Sequence, residues 1–326
     1  MESNKITENN ESTRSIVRVA GTAVAAGKTG TWREAVATFI SSLDIKGSSR
    51  SLYARTLSLF FEWVESEERE LDELTRIDVL EYKDFLIEQG LSNLTICSYL
   101  VVVRKFYAWA ESMKLYPNIA DGVSGPRRRK AFKKMHLTEE KCRELLDFYM
   151  ERSLRDYAIV NLILRTGLRT IEVVRLDIKD ITFKGNRRIL KLFGKGWDVK
   201  DDFVVLTDKA YEPIKEYLRT RKSARPSEPL FICVSNKNQG GRLTTRSISR
   251  ICKEGLVAIG LDGREFTAHS LRHTTAVEIL KRGGGIADVQ DVLRHASPAT
   301  SQIYTESIKG ELRLDKAPEF LLDDAF

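Results

Sequence analysis

Between residues 31 and 113 the apolar positions recur at helical steps. In "TWREAVATFISSL", Trp32, Ala35, Phe39 and Leu43 share one face. In "SLYARTLSLFFEWVESEE", Tyr53, Leu57, Phe60, Phe61 and Trp63 recur mostly three and four apart. "TRIDVLEYKDFLIEQG" predicts a third helix closed by Gly90, and "NLTICSYLVVVRKFYAWAESM" a fourth. From residue 138 helices return in "TEEKCRELLDFYM" and "RDYAIVNLILRTG", the latter ending near Gly167, and "TIEVVRLDIKDI" opens another. The period then changes. "DITFKGNRRILKLFGKGWDVKDDFVVLT" is rich in strand formers and holds two glycine-marked turns, at 184–186 and 194–196, which predicts a three-stranded antiparallel meander. Helices resume in "KAYEPIKEYLRTRK", "TTRSISRICKEGLVAIG", "SLRHTTAVEILKRG", "IADVQDVLRH" and "PATSQIYTES". The fold class expected is mainly α with a small antiparallel β-sheet, in a helical N-terminal domain and an α+β C-terminal one.

The polar stretches divide the chain. Residues 1–29 are polar, then Gly/Ala/Thr-rich, and read as a flexible N-terminal tail with at most a short ordered turn. Residues 30–120 form the helical domain. Residues 121–136 read as a basic linker: Gly125-Pro126 breaks any helix, and Arg127, Arg128, Arg129, Lys130, Lys133 and Lys134 follow. So dense a run of like charge suits a strap along a phosphate backbone. Residues 137–308 form the second domain, and 309–326 a C-terminal tail with apolar anchors at Leu312, Leu314, Phe320, Leu321 and Leu322.

Composition narrows the classes. The 326 residues are 42% apolar and carry a net charge of +7, which favours a polyanionic partner. No apolar run is long enough to span a membrane, and the start carries no export signal pattern, so a cytoplasmic protein without a membrane partner is expected. Cys97, Cys142, Cys233 and Cys252 stand far apart, without metal or redox spacing, and read as reduced core residues.

The candidate chemistry lies near the C-terminus. Of four histidines, two bracket Arg272 in "FTAHSLRHTT", and His295 follows. His269 and Arg272, three apart at a helix start, project from one side. The glycines at 283–285 stop that helix; His295 ends the next; Ser297-Pro298 starts a third, which carries Tyr304. Upstream, "RTGLRTIEVVRL" places Arg169 at a helix-to-helix corner with Glu172 three residues on. Arg169 and Arg272 suit the non-bridging oxygens of a phosphate and the extra charge of its pentacoordinate transition state. Lys195, in the Gly-Lys-Gly turn, suits protonation of a leaving oxygen; Lys200 is its rival. Tyr304, with an ordinary pKa of about 10, becomes a nucleophile where cations and a base gather. A metal on His269, His273 and His295 is set aside, since no cysteine or carboxylate has helpful spacing and Arg272 repels a cation. His273 reads as a structural hydrogen-bonder.

These boxes resemble those of the tyrosine recombinases of the phage-integrase type, in order and spacing. "TGLR…E" resembles the first arginine box, "HSLRHTTA" the His-x-x-Arg box, and "LRHASPATSQIYTES" the His…Tyr box. "SLYARTLSLFFEW" and "LSNLTICSYLVVVRKFYAW" resemble the family's helical core-binding (SAM-like) domain, so the likeness spans roughly residues 30–310. The resemblance implies that Arg169, Lys195, His269, Arg272 and His295 activate a phosphate, that Tyr304 is the nucleophile, and that Glu172 orients the set. It implies site-specific recombination of duplex DNA through a 3′-phosphotyrosine and a Holliday junction, in integration and excision of a mobile element or in Xer-like resolution. No cofactor or metal is implied. The partners implied are double-stranded DNA, further copies of the chain (a dimer per site, a tetramer in synapse) and accessory DNA-bending proteins, with the C-terminal tail docking on a neighbouring protomer. Arg294 stands where the family usually has glycine, and a tolerated residue adding a phosphate contact is expected there. Two other classes fit in part. A type IB topoisomerase-like enzyme shares the chemistry, but the compact helical first domain argues against it. A non-catalytic DNA-binding regulator would not be expected to keep every catalytic residue type.

Overall fold

The computed structural model describes residues 16–19, 22–25, 31–127, 135–193, 200–236, 238–295, 304 and 310. The chain divides into two compact units, Met1–Lys130 and Ala131–Phe326. Among the described residues no helix is long and apolar enough to cross a membrane.

In the first unit, strands β1 (Ile16–Val19) and β2 (Thr22–Ala25) pair antiparallel. They lie within residues 1–29, where the sequence suggests a tail with at most a short ordered turn. The β-branched alternation of "IVRV" was overshadowed by the surrounding small residues. Four helices follow: α1 (Thr31–Ser42), α2 (Gly47–Ser66), α3 (Arg76–Glu88) and α4 (Asn93–Ser112). Their starts are encoded locally. Thr75 caps α3 and Asp78 returns to the Thr75 backbone N–H at 2.6 Å, while the Ser92 hydroxyl accepts from the Thr95 N–H at 3.2 Å in α4. The helical stripes meet in an aromatic core. Phe60 packs edge-to-face on Tyr82 with ring centres 4.9 Å apart, and Trp32 stacks on Phe61 at 5.2 Å.

The second unit begins with α5 (Glu139–Met150), α6 (Leu154–Thr166) and the short α7 (Thr170–Val174). A single 3-10 turn leads into the meander β3 (Ile181–Lys184), β4 (Arg187–Leu192) and β5 (Asp202–Val205), with Ile181 opposite Leu190 and Leu190 opposite Val204. Helices α8 (Asp208–Arg219), α9 (Thr245–Ala258), α10 (Ala268–Lys281) and α11 (Ile286–Leu293) complete it. The mainly helical class with a small antiparallel sheet is the one expected. Helix α6 is the hub, burying Ala158, Ile159, Leu162 and Ile163 among α5, α8 and α10. Helix α10 departs from an amphipathic stripe. Residues 270–277 are all buried, five of them polar or charged: Ser270, Arg272, His273, Thr274 and Thr275. Polar groups this deep need partners, and their partners define the site.

Candidate active site

Helix α6 stops at Gly167, whose φ of +61° is left-handed. Two things require glycine here. An L side chain is strained at that φ, and a Cβ would lie 2.3 Å from Leu293 Cδ2. The turn frees the Gly167 carbonyl, which accepts a hydrogen bond from Arg272. Gly167→Ala is expected to lower stability by about 2–4 kcal/mol through strain and overpacking, read as the denaturant midpoint of the isolated variant. A midpoint equal to the parent's rejects this role.

Arg169 sits just before α7 and turns back on it. Its backbone N–H donates to Glu172 Oε2 at 2.7 Å and its Nη1 to Oε1 at 2.8 Å. Its Nη2 reaches the Arg294 carbonyl at 3.3 Å. The Arg294 side chain approaches Glu172 from the other side, with Nη2 2.8 Å from Oε2. Burial pushes the Glu172 carboxyl up, but Arg294 and the Arg169 contacts outweigh it and hold the group below its ordinary value. Glu172 is thus a fixed anion between two guanidinium groups. The Arg294 side chain thus turns inward, onto Glu172. Its φ of +53° also explains why glycine suits this position, since a left-handed conformation costs an L residue about 1 kcal/mol.

Arg272 is 1% exposed and spans two carbonyls, donating to Gly167 and, at 2.5 Å, to Leu293. It also hydrogen-bonds Tyr304. Burial and the nearby Arg169 pull its pKa down to about 10, which leaves it charged at neutral pH. Tyr304 is 3% exposed and lies between two imidazoles, stacked on His295 at 5.7 Å and tilted against His273 at 5.0 Å. Burial raises its pKa; Arg272 and Arg169 oppose that without reversing it, so the resting hydroxyl is protonated. His295 falls to about 4 because it is buried among Arg272, Arg169, His269 and Arg294. It is a neutral base at pH 7. Helix α10, capped by the Thr267 hydroxyl, exposes His269 in its first turn.

The His295 shift has a consequence for stability. The unfolded chain binds that proton near pH 6.5 and the folded chain only near 4. Stability is therefore lost as pH falls through this window, by up to about 3 kcal/mol, and is unaffected by this group above it. His295→Gln should flatten the unfolding free energy around pH 5 by about 1 kcal/mol per pH unit. An unchanged slope means that His295 is protonated in the folded state.

Arg169, Glu172, Arg272, His295 and Tyr304 thus share one cluster, with His269 close enough to shift His295. Lys195 lies outside the described residues. Its rival Lys200 is committed elsewhere, to Asp180 and, at 3.3 Å, to Asp177. Of the linker cations, Arg127 is exposed, while Arg128, Arg129, Lys130, Lys133 and Lys134 lie outside the described residues. His273 was read as structural. It is buried with its ring against both Tyr304 and His136, 5.6 Å away. Three features escaped the sequence reading: the Gly167 and Leu293 carbonyls under Arg272, the inward turn of Arg294, and the approach of His136. Only the helix-ending glycine left a readable signal.

The cluster brings a tyrosine hydroxyl together with two arginines and an imidazole, groups whose chemistry suits an anion. Residues 135–311 match the phage integrase family, and residues 36–114 match its N-terminal SAM-like domain. The chain belongs to the phage integrase family, the tyrosine recombinases. It is 32% identical over 275 residues to tyrosine recombinase XerA of Pyrococcus furiosus, covering 83% of this chain and 89% of that one. It is also 32% identical over 221 residues to tyrosine recombinase XerC of Actinobacillus pleuropneumoniae, covering 67% and 69%. Among solved structures, the XerH site-specific recombinase bound to palindromic difH substrate, in a post-cleavage complex, has the same fold. The TM-score is 0.67 at 24% identity over 83% of this chain and 79% of that one.

Proposed function

We propose that this chain is a site-specific DNA recombinase in which Tyr304 cuts one strand and the resulting ester is later rejoined. The observation that carries the reading is Arg272: a buried guanidinium, charged at neutral pH, anchored on two carbonyls and hydrogen-bonded to the Tyr304 hydroxyl. Arg272 and the half-buried Arg169 bind the non-bridging oxygens of the scissile phosphate. The Tyr304 oxygen attacks phosphorus and its proton passes to the neutral His295. The P–O5′ bond breaks, and Lys195 supplies the proton for the 5′-oxygen. What remains is a 3′-phosphotyrosine and a free 5′-hydroxyl, whose attack on a partner's ester reverses the step in a new strand. The ester conserves the bond energy, so the cycle runs without ATP. An arriving phosphate anion offsets the positive field of Arg169, Arg272 and Arg294 that, together with burial, lowers the pKa values of Arg272 and His295.

The substrate in this reading is duplex DNA, held by both units and by the basic run at 127–134, with a dimer per site and a tetramer in synapsis. Names and titles of relatives support it: the XerH structure is bound to its difH substrate, and a λ integrase dimer of the same fold is bound to a core site. The test is covalent capture. Duplexes tiled across the DNA flanking the gene, each nicked so that a cleaved strand cannot religate, are incubated with the protein in EDTA and denatured. A protein–DNA adduct on one tile is expected. Binding without an adduct on every tile rejects cleavage at these sites and favours the regulator reading.

A further inference from the structure

Arg294 pairs with the site in a way the phosphate-binding reading does not call for. Its carbonyl accepts from Arg169 Nη2 at 3.3 Å, and its own Nη2 holds Glu172 Oε2 at 2.8 Å. Glu172 in turn grips the Arg169 backbone N–H and Nη1. Arg169, Glu172 and Arg294 therefore close a ring of charge-assisted hydrogen bonds. The Arg294 Nη1 donates to the Val292 carbonyl at 2.6 Å, which fixes the guanidinium plane. Its Nε is buried without a hydrogen-bond partner and lies 3.8 Å from Asp202 Oδ2 at the start of β5.

This arrangement runs against several local preferences. The backbone is left-handed, the charged side chain is only 8% exposed, and one N–H is unmatched. Glycine would meet none of these penalties. A glycine would also remove a guanidinium from Glu172 and from Asp202 at the start of β5. We propose that Arg294 is a positioning residue: it ties α7 to the start of β5 through Glu172 and Asp202, and so sets the angle at which Arg169 meets the scissile phosphate. The proposal rests on the strand-cleaving reading above. It assigns Arg294 no direct contact with DNA, because the side chain is spent on Glu172, Val292 and Asp202.

The test uses the full-length protein and the nicked duplex that yields an adduct with the parent. Arg294→Gly should slow single-turnover adduct formation roughly 10- to 100-fold, the scale of a small misplacement of a catalytic group. Affinity for the same duplex should stay within about threefold. Thermal unfolding of the free variant should not fall far, since the left-handed strain is relieved. Arg294→Lys should recover part of the rate by restoring the charge on Glu172. Asp202→Asn should slow cleavage as well, and adding it to Arg294→Gly should slow it no further, because both act through one link. Hydrogen exchange of the free protein should quicken at residues 202–205 in Arg294→Gly. A glycine variant that cleaves within twofold of the parent overturns the proposal. So does an affinity loss as large as the rate loss, which marks a direct phosphate contact. If the parent forms no adduct on any tile, the cleavage reading fails, and the tie is judged by exchange alone; unchanged exchange at 202–205 then overturns it.

Discussion

Tyr304→Phe is expected to bind DNA as the parent does and to form no covalent adduct, a loss of at least about 10⁴-fold in single-turnover cleavage. The substitution removes one oxygen and leaves the ring between His295 and His273, so packing is kept. It takes one partner from Arg272, which still has the Gly167 and Leu293 carbonyls. The fold therefore survives and the readout isolates the nucleophile. Gel shift and denaturing electrophoresis of the same incubations separate the two effects. An adduct of undiminished yield with the phenylalanine variant would assign the nucleophile to another residue.

Arg272→Lys is expected to reduce cleavage by about 10³-fold and to lower stability by about 1–3 kcal/mol. Charge is conserved, but an ammonium is a single point and cannot fork across two carbonyls while also reaching Tyr304 and a phosphate. The Gly167 and Leu293 carbonyls are deep in the unit, where an unmatched acceptor is destabilising. The effect splits by assay: stability is read from denaturant unfolding and chemistry from adduct formation at a saturating concentration of duplex. A lysine variant that cleaves at the parent rate means that charge alone suffices and the bidentate geometry does not matter.

Several features are legible in the sequence alone. The helical period predicts α1 to α4 nearly to their ends, because Thr75 and Ser92 announce the starts of α3 and α4 and the apolar stripes are regular. The meander was readable from two glycine turns spaced between strand formers. The residue types of the cluster were readable too, since arginine, histidine and tyrosine at those spacings suit a phosphate. Helix α10 was harder. With residues 270–277 all buried it has no apolar stripe, so the sequence does not show how deep its polar residues lie. His273 reads in sequence as a structural hydrogen-bonder; in space it is buried with its ring against Tyr304. The inward turn of Arg294 was not legible because a side chain at a helix end has no direction in sequence, and the turn depends on a carboxylate 122 residues earlier.

The amino-acid sequence by itself determined most of the helices, the three-stranded meander and the residue types available for chemistry, since these depend on local periodicity, caps, turns and residue type. Only the tertiary structure decided which groups meet. Arg272 reaches carbonyls 105 residues before it and 21 after it, and Arg169 meets a carbonyl 125 residues away. Burial at that meeting point then sets the protonation of His295 and Tyr304. That burial depends on how α6, α7, α10 and α11 pack, which no single stretch of sequence records.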